Sequence, residues 1–173
     1  ERGNFSLIYK KATLDDLDIL TESRIEVLRA ANQLSDDADM SEVKARSYEY
    51  YRKALQDGTH IAYLIFDGDK FAGAGGVSFF QVMPTYHNPS GRKAYIMNMY
   101  TKPEYRRRGI AFITLDLLVH DAREKGITAI SLELQPWGGR CMKNTASWKC
   151  GMRWNCRSKM NLNSREISLA VNF

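Results

Sequence analysis

Residues 95–112 hold the greatest concentration of groups able to do chemistry: Tyr95-Ile96-Met97-Asn98-Met99-Tyr100-Thr101-Lys102-Pro103-Glu104-Tyr105-Arg106-Arg107-Arg108-Gly109-Ile110-Ala111-Phe112. A strand-like run leads into three arginines and a glycine. A helical pattern follows, with Ile110, Ile113, Leu117 and Leu118 on one side. A basic, glycine-containing turn at a helix start is an anion cradle. The first-turn N–H groups and the positive end of the helix dipole suit a pyrophosphate, and Gly109 lets a phosphate approach backbone where a side chain would collide. Pro103 fixes its φ and stiffens the turn. Taken alone, an Arg triplet before a glycine is more often a solvated basic turn. The strand before it, the helix after it and the proline within favour phosphate binding.

The elements that would position this turn follow from hydrophobic periodicity and turn residues. Ser6–Tyr9 reads as a first strand, and a helix capped by Thr13 or Asp15 runs to about Ala31 with Leu17, Leu20, Ile25 and Leu28 on one face. A second helix spans about Ser41 to Leu55, with Val43, Tyr50, Tyr51 and Ala54 as packing candidates, and stops at Asp57-Gly58. His60–Phe66 and Lys70–Val82, separated by Asp67-Gly68-Asp69, form an antiparallel hairpin. Met83–Lys93 is a long loop, Ala94–Thr101 a strand, Arg106–Lys125 a helix ended by Gly126, and Ile127–Leu134 a last strand. The order β-α-α-β-β-β-α-β predicts an α/β fold.

Composition sets the limits on function. The chain has 173 residues and is 44% hydrophobic and 26% charged, which suits one globular domain and argues against intrinsic disorder. It contains no apolar run long enough to span a membrane, and its first residues lack a signal peptide's apolar stretch, so a soluble, cytoplasmic protein without a membrane partner is expected. The net charge of +5 is unevenly placed. Residues 1–133 carry 18 Lys and Arg against 19 Asp and Glu, whereas residues 134–173 carry 7 against 1. All three Trp and all three Cys fall in that tail. Cys141, Cys150 and Cys156 do not have zinc-site spacing, so no metal is expected. Basic residues around Trp148 and Trp154 resemble a nucleic-acid surface only in composition, and nucleic acid ranks low as a partner. His60, His87 and His120 share no spacing. His120 reads as a surface residue on the long helix, and His87 as a loop residue that could meet substrate. Tyr95 and Asn98 could orient a water, while Tyr48, Tyr50 and Tyr51 read as helix packing.

Arg106-Arg107-Arg108-Gly109-Ile110-Ala111, with its lead-in Tyr100-Thr101-Lys102-Pro103-Glu104-Tyr105, resembles the (Q/R)-x-x-G-x-(G/A) signature of the GCN5-related N-acetyltransferases. The resemblance covers about residues 5–133 and implies a mixed, mostly antiparallel central sheet flanked by helices. It implies acetyl-CoA as acetyl donor, lying where the fourth and fifth strands splay. The pantetheine arm would then meet the backbone of Met99, Tyr100 and Thr101, and the pyrophosphate would lie on Arg106, Arg107, Arg108, Gly109, Ile110, Ala111 and Phe112. A primary amine of a small molecule or peptide would attack the thioester directly, a base or water chain taking its proton and an acid protonating the departing thiolate. The resemblance names no catalytic residue in this chain. Homodimers are common in the family, so a homodimer is a further expectation.

The resemblance stops near Glu133. The family closes on a pattern like G-R-P-L-Y-E-K-Y-G-F, whose Tyr commonly acts as the acid, and two further strands. Here Ser147 stands where that Tyr would be. With permissible codons, shifting the frame by one base at Glu133 turns Leu134–Cys156 into AATMGRPLYEKYGFVEMRNEMEL, which contains the whole pattern. Residues 1–133 are therefore expected to be the acetyltransferase core, and residues 134–173 an atypical, out-of-frame tail. On that expectation the alternative function is a coenzyme A-binding remnant with little turnover.

Overall fold

The computed structural model describes residues 6–132 and the backbone of 167–168. Strands β1 (Leu7–Lys11), β2 (His60–Asp67), β3 (Lys70–Gln81), β4 (Arg92–Thr101), β5 (Ile130–Leu132) and β6 (Ile167–Ser168) form one sheet in that order. The β1–β2, β2–β3 and β3–β4 pairs are antiparallel, and β4–β5 and β5–β6 are parallel. The mixed, mostly antiparallel sheet expected from the sequence is thus present. β6 lies in the tail expected to be out of frame, which thus supplies one strand to the sheet. The rest of that tail, with its Cys and Trp residues, Ser147 and the proposed frame change, falls outside the described residues.

Helices α1 (Leu17–Asn32) and α2 (Ser41–Asp57) cover one face of the sheet. Leu17 and Leu20 of α1 and Tyr51 of α2 pack there against Ala62, Leu64 and Ala74. The alternate residues of the same strands, Ile61, Tyr63 and Val77, face the other way and meet Leu118, Val119 and Ala122 of helix α3 (Ile110–Glu124). This period-two division of β2 explains why it reads as continuously apolar: both of its faces are buried. Close packing against α3 also depends on Gly75, where an added Cβ would lie 2.6 Å from Thr114 Cγ2 and 2.7 Å from Met99 Sδ.

Two boundaries and one buried face differ from the sequence expectations. The long helix begins at Ile110 and not at Arg106, because Arg107 (φ 63°) and Gly109 (φ 79°) adopt left-handed backbone that a helix cannot contain. A short 3-10 turn at Pro103–Tyr105 precedes them. Strand β5 begins at Ile130 and not at Ile127. The Ile127 amide bonds back to the Ala122 carbonyl at 3.0 Å and its side chain enters the core, so Ile127 terminates the helix, and contact with β4 begins only at the Ala129 carbonyl, which accepts from the Ala94 N–H at 2.9 Å. Ile113, placed on the apolar face by periodicity, is exposed. The buried stripe is Ile110, Thr114, Leu118, Val119 and Ala122.

Candidate active site

The basic turn is held from beneath by Tyr105. Its buried ring packs with Ile110, Ile65 and Ala72, and its hydroxyl reaches Asp67 Oδ2 at 3.4 Å. Arg108 lies over the same ring, 5.5 Å from its centroid. The Arg106 Nε donates to the Thr101 carbonyl at 3.2 Å, tying the turn to the end of β4. Gly109 caps the helix, and the helical ladder begins with Ile113 N–H to Gly109 C=O at 3.0 Å. The ladder therefore makes no use of the Gly109, Ile110 and Ala111 amides. A Cβ built on Gly109 would meet nothing within 4 Å, so the ground above this amide is open. Arg106, Arg107 and Arg108 are exposed around it, Ala111 is half-buried and Phe112 is 42% exposed. The structure thus gathers all the turn residues named from the sequence at one helix N-terminus.

β4 supplies the second half of the site. Against β3 its register jumps from Gly76↔Met97 to Ala74↔Tyr100, so Asn98 and Met99 together oppose Gly75 in a bulge, with Asn98 at φ 56°. Against β5 its pairing covers only Ala94–Ile96, so among the described residues 97–101 form an open edge on that side. Met99, Tyr100 and Thr101 lie on this edge, in line with the turn. Met99 packs toward Gly75 and α3. The Tyr100 hydroxyl donates to Glu26 Oε1 at 3.0 Å and is pushed up to about 12, first by burial and then by that bond and charge. Lys102 adds its ammonium 3.7 Å from Glu26. Thr101 Oγ1 is buried and makes no hydrogen bond within the described structure.

The bulge also turns Asn98 toward the α1–α2 face, beside Met97, which faces it by the strand's ordinary alternation. There they line a cavity of about 290 Å³ with Arg24, Arg46, Tyr50 and His60. Arg24 Nη1 donates to Asn98 Oδ1 at 3.1 Å. Tyr50 Oη lies 2.7 Å from Ser78 Oγ and 3.2 Å from His60 Nδ1, and Ser78 Oγ lies 2.9 Å from the same nitrogen. Burial, and then the Arg24 charge, lowers His60 to about 4, so it is neutral near pH 7. This cluster escaped the sequence reading. Tyr48 and Tyr51 do pack as expected, but Tyr50 is 44% exposed and joins His60. The hint available was the Tyr50-Tyr51 pair followed by His60 at the start of a strand. His120 is exposed, as expected, and His87 lies on the exposed loop against Tyr86. Among the described residues no helix is long and apolar enough to cross a membrane, and no His, Cys, Asp and Glu group could hold a metal.

The mixed sheet, the β4 edge that is open among the described residues and the helix-capping turn make up an acetyltransferase-like fold. The acetyltransferase (GNAT) family matches residues 28–143, and the chain belongs to that family, whose acetyl donor is acetyl-CoA. It is similar to the crystal structure of a predicted acetyltransferase from Clostridium acetobutylicum with acetyl-CoA. The two are 26% identical with a TM-score of 0.68, over 90% of this chain and 96% of that one. A GCN5-related N-acetyltransferase from Ralstonia eutropha shares the fold at 21% identity and a TM-score of 0.66, over 75% of this chain and 84% of that one. So does an aminoglycoside acetyltransferase from an uncultured soil metagenomic sample, in complex with sisomicin. That structure is 18% identical with a TM-score of 0.57, over 78% of this chain and 80% of that one. No curated protein matches the chain.

Proposed function

We propose that this protein moves the acetyl group of acetyl-CoA to a primary amine of a small molecule or peptide by direct attack. The observation that carries the reading is the β4 edge at residues 97–101, open among the described residues, running directly into a turn tied to it by the Arg106–Thr101 bond and presenting the amides of Gly109, Ile110 and Ala111. On this reading the backbone of Met99, Tyr100 and Thr101 holds the pantetheine arm. The turn from Arg106 through Ala111, with Phe112 beside it, holds the pyrophosphate by amide hydrogen bonds, helix dipole and arginine charge. The amine, approaching from the bulge, forms its N–C bond as the C–S bond breaks. The electron pair leaves on the coenzyme thiolate, and the proton lost by the amine passes to a base or water chain. Titration with acetyl-CoA, together with thiol release over a panel of amines, tests the assignment. Saturable binding and amine-dependent release are expected, and absence of binding overturns it.

The second reading, a coenzyme A-binding remnant, rests on the mismatch between residues 135–156 and the family's closing pattern, with Ser147 in place of its Tyr. We propose that one base is missing near the Glu133 codon. A chain carrying the restored reading is then expected to turn over faster than this one while binding acetyl-CoA comparably. Equal turnover by the two chains, or a gene that encodes this tail with no frame change, defeats the proposal.

A further inference from the structure

The cavity at the β4 bulge carries a charge pattern that bears on the acceptor. It is walled by two guanidinium groups, the half-buried Arg24 from α1 and the exposed Arg46 from α2, and no acidic residue among the described residues lines it. Of the acids nearest to them in sequence, three are engaged elsewhere, and Glu42, one helical turn before Arg46, forms no ion pair with it among the described residues. Glu22 pairs with Lys44, Glu26 takes the Tyr100 hydroxyl and Lys102, and Glu49 pairs with Arg52. Among the described residues neither Arg24 nor Arg46 has a carboxylate partner. Arg24 spends one N–H on Asn98 Oδ1, which fixes its planar fork and leaves further donors for another acceptor. The remaining wall does not offset this charge. His60 is neutral near pH 7, and Tyr50 and Ser78 are closed into a hydrogen-bonded triangle with it. A half-buried guanidinium and an exposed one lining the same cavity, with no carboxylate partner among the described residues, form a configuration that a ligand anion completes.

We propose that the acceptor amine carries a carboxylate, and that Arg24 and Arg46 seat this carboxylate in the cavity beside Met97 and Asn98. The inference rests on the acetyl-transfer reading and names its substrate class. The volume of about 290 Å³ sits at the small end of the range for ligand sites, which suits an amino acid or short peptide end. Two arginines repel a polycation. An aminoglycoside, the kind of ligand held by the sisomicin-bound structure described above, is therefore disfavoured here.

The test uses the full chain and reads binding apart from turnover. N-acetyl-L-glutamate and its uncharged dimethyl ester are titrated calorimetrically, with and without coenzyme A. The free acid is expected to bind about 10- to 100-fold more tightly than the ester, the span for losing charge-assisted hydrogen bonds. The double variant Arg24→Met with Arg46→Gln is expected to close that gap, and Arg46→Gln alone, an exposed change that does not threaten folding, to narrow it. Equal binding of acid and ester by the parent chain overturns the proposal, as does a gap that survives in the double variant. Failure of the acetyl-transfer reading looks different: acetyl-CoA itself does not bind, whatever the acid-to-ester ratio. Amine acetylation that favours methyl esters or polyamines over free amino acids refutes the carboxylate site and leaves acetyl transfer standing.

Discussion

Replacing Gly109 with alanine separates what this position does for the fold from what it does for the coenzyme. Gly109 sits at φ 79°, where an L-residue is strained by about 1 kcal/mol, and a Cβ there meets nothing within 4 Å. Folding should therefore lose only that strain, a fall of about 2–4 °C in Tm for a chain of this size. The added methyl occupies the space through which a phosphate reaches the Gly109 and Ile110 amides. Losing one charge-assisted hydrogen bond costs about 1.5–3 kcal/mol, which weakens acetyl-CoA binding roughly 10- to 100-fold. Gly126 provides a matched control. It has φ 70°, it also meets nothing within 4 Å, and it lies beyond the far end of the same helix, about 25 Å away at 1.5 Å per residue. Gly126→Ala should show the same fall in Tm with unchanged affinity. Thermal denaturation and calorimetric titration with acetyl-CoA read the two effects separately. If Gly109→Ala binds acetyl-CoA as tightly as the parent, the diphosphate does not lie on this turn and the reasoning fails.

Gly75→Val should destabilise by about 1–3 kcal/mol, seen as an earlier chemical denaturation midpoint, because its Cβ would press on Thr114 and Met99 and push α3 from the sheet. A midpoint equal to the parent's would show that the helix is not seated that closely. His60, lowered to about 4 against an ordinary value near 6.5, contributes stability that is fully present above pH 6.5 and is lost as pH falls toward 4. The full effect is on the order of 3 kcal/mol, and His60→Gln should flatten the stability profile across that window, measured by urea denaturation at stepped pH. A profile unchanged by the substitution would remove His60 as its cause. Arg107→Gln is expected to weaken acetyl-CoA binding about 2- to 5-fold at low ionic strength, with the difference vanishing in high salt because this arginine is exposed. A deficit that persists in high salt would point to a contact other than screened charge.

Local chemistry made the basic turn at the helix start legible in the sequence. A proline, three arginines and a glycine between a strand and a helix are adjacent in the chain, and an anion cradle of this type is built from consecutive backbone amides. The order of strands and helices was legible for the same reason, since hydrophobic period and turn residues act over a few positions. The helix start at Ile110 was not, because only the folded backbone shows Arg107 and Gly109 in left-handed conformation. The cavity was invisible for a different reason. It depends on the two-residue bulge that turns Asn98 to the same face of β4 as Met97, and such a bulge leaves no mark in a period-two pattern. Arg24, Arg46, His60 and Asn98 come from two helices and two strands, and only the packing of those elements brings their charges into one cavity. The sequence by itself determined the groups able to hold a phosphate. The tertiary structure decided which distant side chains share the cavity at the β4 bulge, because that juxtaposition is made by contacts far apart along the chain.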